Sequence, residues 1–145
     1  MSRVAPEEWA WITRPHEQGE PARHVVELSE AAAMGALRAN VWRYEPGAAG
    51  LRHRHARQEE AYFVLEGTLT VYLGDPPAAV EVPERGLVHV PAGTAVQSAN
   101  RGDSDVLVLA FATPPEEERS ELLASAVPEG AAAGPVDYPS PRSDA

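Results

Sequence analysis

Between residues 36 and 111 the chain is cut into short apolar runs by turn residues at close intervals. A chain so divided has no room for long helices and must build its core from strands. The runs cover residues 36–44, 51–55, 61–65, 69–73, 80–82, 87–90, 95–98 and 106–111. Pro46-Gly47, Gly67, Gly74-Asp75-Pro76-Pro77, Glu84-Arg85-Gly86, Pro91-Ala92-Gly93 and Asn100-Arg101-Gly102-Asp103 separate them. Glycine supplies the left-handed conformations that tight turns need, and proline ends hydrogen-bonded pairing. Many short strands with regular punctuation predict an all-β fold, either a closed barrel or two packed sheets.

Within this region one spacing carries chemistry. It runs Gly47, five residues, His53, Arg54, His55, four residues, Glu60, six residues, Gly67. Two histidines two apart on an extended segment project from the same face. A turn at 56–59 then leads into a second apolar strand opening with Glu60. If the two strands lie side by side, two imidazoles and one carboxylate converge. That set binds a divalent transition metal and leaves coordination positions open. Glu59 points to the opposite face, and a register slip of one residue would exchange it for Glu60. The six-residue gap to Gly67 selects Glu60.

This stretch resembles the first conserved motif of the cupin superfamily: glycine, five residues, His-x-His, three or four residues, glutamate, six residues, glycine. The sequence Tyr62-Phe63-Val64-Leu65-Glu66-Gly67 is also similar to the family pattern. A second motif resembles Gly86, four residues, Pro91-Ala92-Gly93, then Asn100, with the first glycine one residue closer than in the family. The resemblance spans about residues 37–111 and implies a cupin-type jelly-roll β-barrel that commonly dimerises. It also implies a fourth metal ligand, a histidine, at a position that Val96 occupies here. Valine cannot coordinate a metal. Either the metal gains an open position, or the site is degenerate and the cavity binds an organic ligand unaided. His89 and Gln97 lie nearby as substitutes, and an ordinary strand position is the plainer role for His89.

Parity extends the site. Tyr62 and Val64 share a face with Glu60, and Ser98 shares one with Val96, so these four are the expected lining of a substrate pocket. Ala61, Phe63 and Leu65 face the other way and are apolar as well, which calls for a second layer or subunit. Arg52 and Arg54 alternate with the histidines and should point away from the metal. Trp42 and Tyr44 share one face, Arg43 and Glu45 the other.

The flanks differ in character. At 145 residues the chain is most simply one domain. We divide it into an N-terminal arm and first strand (1–34), a barrel (35–113) and a C-terminal helix with an irregular tail (114–145). Residues 23–28 read as a strand and 29–34 as a helical turn or loop. Trp9 and Trp11 mark a coil pinned on the barrel or an arm packed on a second subunit. Thr113-Pro114-Pro115-Glu116 has capping-box spacing and proline at the first helical position, which predicts a short helix ended by Pro128.

Composition excludes several functions. The formal charge is −10. Nucleic acid and anionic membrane need clustered positive charge and are not expected partners. All twelve basic residues are arginine, so no lysine can form a Schiff base. The absence of cysteine removes disulfides, thiolate ligands and thiol nucleophiles. No apolar run is long enough to span a bilayer, and the first residues do not look like a signal peptide, so the cytoplasm is the expected location. The resulting expectation is a homodimeric cupin holding Fe, Mn, Zn, Ni or Cu through His53, His55 and Glu60. It would act on a small molecule as a dioxygenase-like or other metal-dependent enzyme, a decarboxylase or isomerase among them. The alternative is a non-enzymatic small-molecule-binding cupin with a degenerate or absent metal site.

Overall fold

The computed structural model describes residues 1–14, 21–115 and 120–127. Among them lie eleven strands and one α-helical turn. The strands are β1 (Ile12–Arg14), β2 (Arg23–Val26), β3 (Arg38–Tyr44), β4 (His53–Arg54), β5 (Glu59–Glu66), β6 (Leu69–Leu73), β7 (Ala78–Val82), β8 (Leu87–Val90), β9 (Val96–Ala99), β10 (Val106–Thr113) and β11 (Glu121–Leu122). The helical turn, α1, spans Leu28–Ala31.

Every strand pair is antiparallel, and the strands form two sheets. One is six-stranded, in the order β1-β2-β3-β10-β5-β8; the other is five-stranded, in the order β11-β4-β9-β6-β7. This is the all-β, double-sheet architecture expected from the punctuation. Inward-facing residues alternate with outward ones, and the inner faces meet in a core that includes Val25, Val64, Leu69, Val71, Val96 and Val108, none more than 1 % exposed. Those side chains supply the hydrophobic drive for bringing the sheets together.

The motif glycines have a conformational reason. Gly47 and Gly67 have φ of 86° and 82°, a region closed to most side chains. At Gly67 a Cβ would also stand 3.0 Å from the Asp105 carbonyl. This turn carries the chain from β5 in one sheet to β6 in the other, while pairing with β10 and β8 sets the register of β5. A bulge where Leu107 and Val108 meet Glu66 and Val64 leaves Leu65 without a direct partner.

The flanks fold differently from the expectation. Part of the N-terminal arm is strand: Ile12–Arg14 pairs with β2 and extends the six-stranded sheet. Trp9 and Trp11 meet edge to face at 5.8 Å, and Arg43 lies 5.5 Å from the Trp11 ring, which pins the arm on the sheet. The helix expected after Thr113 is corrected where residues are described. Thr113 still belongs to β10, and Glu121–Leu122 pair with β4 as a strand. Residues 116–119 and those from 128 onward lie outside the described residues. The physical reason is an open sheet edge. Arg54 and His53 present unpaired backbone groups that β11 satisfies, and the Gln97 side chain holds Ser125 and the Ala126 amide. Tertiary pairing here outweighs local helix propensity.

Candidate metal centre

His53 enters from β4, Glu60 from β5, and His55 from the segment between them. The Nε2 atoms of His53 and His55 lie 3.1 Å and 3.5 Å from Glu60 Oε1. The two rings stand nearly perpendicular, 5.0 Å apart. One donor atom from each of the three residues falls within 4.8 Å of the others, the only such metal-ligating group among the described residues. His55 is 5 % exposed, and the His53 and Glu60 side chains are largely buried.

A second layer orients this set. His53 Nδ1–H donates to the Leu51 carbonyl at 3.0 Å, which fixes the tautomer and aims the Nε2 lone pair inward. The Tyr62 hydroxyl donates to Glu60 Oε2 at 2.8 Å, leaving Oε1 to face both imidazoles. The donor set fits a divalent transition metal. Two imidazoles and one carboxylate are suitable ligands, and one donor atom from each gathers at a point that a proton or a cation would occupy favourably. With a proton there, burial opposes the His53 charge, but the Glu60 carboxylate and its hydrogen bond raise the His53 pKa. Burial likewise pushes Glu60 up, and the His53 charge and hydrogen bond, followed by His55 and Tyr62, pull it down to about 2. Burial, then the Glu60 charge, holds the Tyr62 phenol well above its ordinary value, so it stays protonated.

The three donors open onto a cavity of about 90 Å³. Of the residues read from parity, Tyr62 and Ser98 line it. Val64 and Val96 face inward but are not among its lining residues; they pack in the core. Val96 lies directly across from His53 in the β4–β9 pair, 1 % exposed. That position carries an isopropyl group packed into the core and offers no donor atom. The residues weighed as substitutes are engaged elsewhere. His89 pairs with Glu59 at 2.6 Å on the exposed face, and Gln97 bonds the Gly50 carbonyl and Ser125. Arg52 and Arg54 do point away, to Asp75 at 3.4 Å and Glu121 at 3.0 Å.

Sequence reasoning missed Arg23, Arg38, Asn40 and Gln58, which also line the cavity. For Arg23 a signal existed. It precedes Val25 by two in a strand pattern, so an arginine shares the inward face of a core valine. Trp42 and Tyr44, read as sharing a face, both turn toward the cavity, and Tyr44 is hydrogen-bonded to Ser98.

Comparison with known proteins agrees with the fold and the motif. Residues 40–112 match the family model described as a cupin domain, and the chain belongs to that family. Auxin-binding protein 1 of Arabidopsis thaliana is 28 % identical over 106 residues, which cover 67 % of this chain and 53 % of that protein. The chain thus spans about half the length of that relative. Among solved structures, the polyketide cyclase RemF of Streptomyces resistomycificus aligns with a TM-score of 0.70 at 19 % identity, covering 88 % of each chain. A sugar phosphate isomerase of the cupin superfamily from Silicibacter pomeroyi aligns with a TM-score of 0.66 at 24 % identity, covering 77 % of this chain and 75 % of that one. Both show the shared fold. No helix among the described residues is long and apolar enough to cross a membrane.

Proposed function

We propose that this cupin is a metal-dependent enzyme of small-molecule chemistry, with His53, His55 and Glu60 as its metal ligands. The observation that carries the reading is the convergence of the three buried donors beside a cavity, with His53 locked by Leu51 into the ligating tautomer. A divalent metal bound there supplies a Lewis acid with open coordination positions. Around it, the protein's own groups have separate tasks. Tyr62 holds the Glu60 carboxylate and, kept protonated, offers a hydroxyl at the cavity wall. Ser98 and Tyr44 are joined by a hydrogen bond and place two hydroxyl groups on the cavity wall. Val96 takes a donor away and leaves three protein ligands, the facial set of non-haem oxygenases. An oxygenase-type reaction is therefore the reaction class this reading favours.

The buried Val96 opposite His53 also favours a second reading, a binding protein without metal chemistry. Elemental analysis of protein purified without a metal-affinity tag separates the two. Near-stoichiometric Fe, Mn, Ni, Cu or Zn in the wild type, absent from His55→Ala, supports the enzyme reading. No metal in either protein after reconstitution sinks it. The proposal extends to a cytoplasmic homodimer. Phe63 and Leu87 are paired across β5 and β8 on the outer face, with Leu87 56 % exposed, as an apolar contact surface would require. A monomer in light scattering at physiological salt would remove the dimer from the proposal.

A further inference from the structure

Arg23 is a buried cation facing the cavity. It opens β2, two residues before the fully buried Val25, so strand parity turns both side chains inward. The residue is 9 % exposed. Its guanidinium carbon lies 4.6 Å from the centre of the Trp42 ring and 5.8 Å from that of Tyr44. Gly50 makes room for it: a Cβ there would stand 3.2 Å from both Arg23 Nη1 and Ser98 Oγ.

Among the described residues no carboxylate pairs with this guanidinium. Arg14, Arg43, Arg52 and Arg54 each have an acidic partner. The nearby Glu60 already faces His53, His55 and Tyr62. Removing a charge from water without a counter-ion is costly, and stacking on an aromatic face offsets only part of it. A guanidinium offers two parallel N–H donors, the geometry that matches a carboxylate. A volume of about 90 Å³ holds a molecule of roughly six to nine non-hydrogen atoms.

We propose that the cavity takes a small organic monocarboxylate, seated by its carboxylate on Arg23 with its apolar body against Trp42 and Phe111. This deepens the proposed function and rests on the same cavity, but it does not depend on the metal.

The test is calorimetric titration of the metal-free and metal-loaded protein with two matched pairs, acetate against acetamide and benzoate against benzamide. In the metal-free wild type at least one acid should bind about tenfold tighter than its amide. In Arg23→Gln that preference should shrink to about twofold or less, with the circular dichroism spectrum unchanged. Arg23→Lys keeps the charge without the fork and should retain part of the preference. Gly50→Ala crowds the guanidinium without removing it and should weaken acid binding while the amide is little affected. Equal binding of acid and amide, a preference that survives in Arg23→Gln, or no binding of any probe overturns the proposal. If Arg23→Gln does not fold, Arg23→Lys and Gly50→Ala decide it: undiminished preference in both overturns it. A wild type that takes up no metal yet prefers acids would sink the metal assignment and leave the carboxylate site standing.

Discussion

Glu59 and Glu60 are neighbours on one strand, and each meets histidine. Glu59 lies 2.6 Å from His89, with both side chains more than half exposed. Glu60 lies 3.1 Å from His53, with both side chains under a fifth exposed. The shorter contact belongs to the pair with less chemistry. Water screens the outer pair, so its geometry is worth little. The inner pair is desolvated, joined by a second imidazole and by Tyr62, and opens on a cavity. Strand parity alone separates the two carboxylates. Convergence and burial make a site; a close His–Glu distance does not.

The largest expected effect breaks the inner region outright. His53→Ala or His55→Ala should bring metal content to background in elemental analysis, while His89→Ala leaves it at the wild-type level. Retained metal in His53→Ala would dissolve the distinction between the two faces.

Acid should also separate the neighbours. In the metal-free protein the Glu60 pKa, held at about 2, lies below its unfolded value, so its contribution is present above about pH 4.5 and is lost as pH falls through 2. That contribution is of order 3 kcal/mol. His53 has the opposite sign. Its pKa is raised, so its contribution is full below the unfolded value near 6.5 and disappears as pH rises through the folded one. Urea unfolding across this range should show the full acid loss in the wild type and in Glu59→Gln and a smaller one in Glu60→Gln, where Glu45 and Glu121 are still held below the ordinary carboxylate range. Metal reverses the His53 requirement, because a ligating imidazole must be deprotonated, so metal affinity should fall steadily as pH drops below the raised His53 value.

A milder change sharpens the comparison. Tyr62→Phe removes one hydrogen bond to Glu60 and should lower metal affinity by about tenfold, read by competition with a chelator. Glu59→Gln is the smallest case and should shift stability by no more than about 0.5 kcal/mol in the same urea assay.

Much of this was legible before the structure. The six-residue interval from Glu60 to Gly67 selected Glu60, and it is Glu60 rather than Glu59 that the structure brings to His53 and His55. The runs at 69–73 and 87–90 match strands β6 and β8 residue for residue, since both are bounded by turn residues at each end. Other readings failed for identifiable reasons. The expected helix beyond Thr113 rested on local capping chemistry, and such a pattern carries no record of an unpaired strand edge at β4. Parity turned Val64 and Val96 inward correctly, but it says nothing of depth, and both lie in the core rather than on the cavity wall.

The amino-acid sequence by itself determined the all-β class, the faces of the strands and the chemical identity of the three converging donors. Periodicity and turn chemistry are local, and a local pattern is enough to set them. The tertiary structure alone decided which distant residues share that space. Arg23 stands thirty residues before His53 in the chain and on the other sheet, yet both line one cavity because the inner faces of the two sheets pack together. Burial is a property of the packed sheets, and it is burial that turns a solvated arginine into a cation in want of an anion.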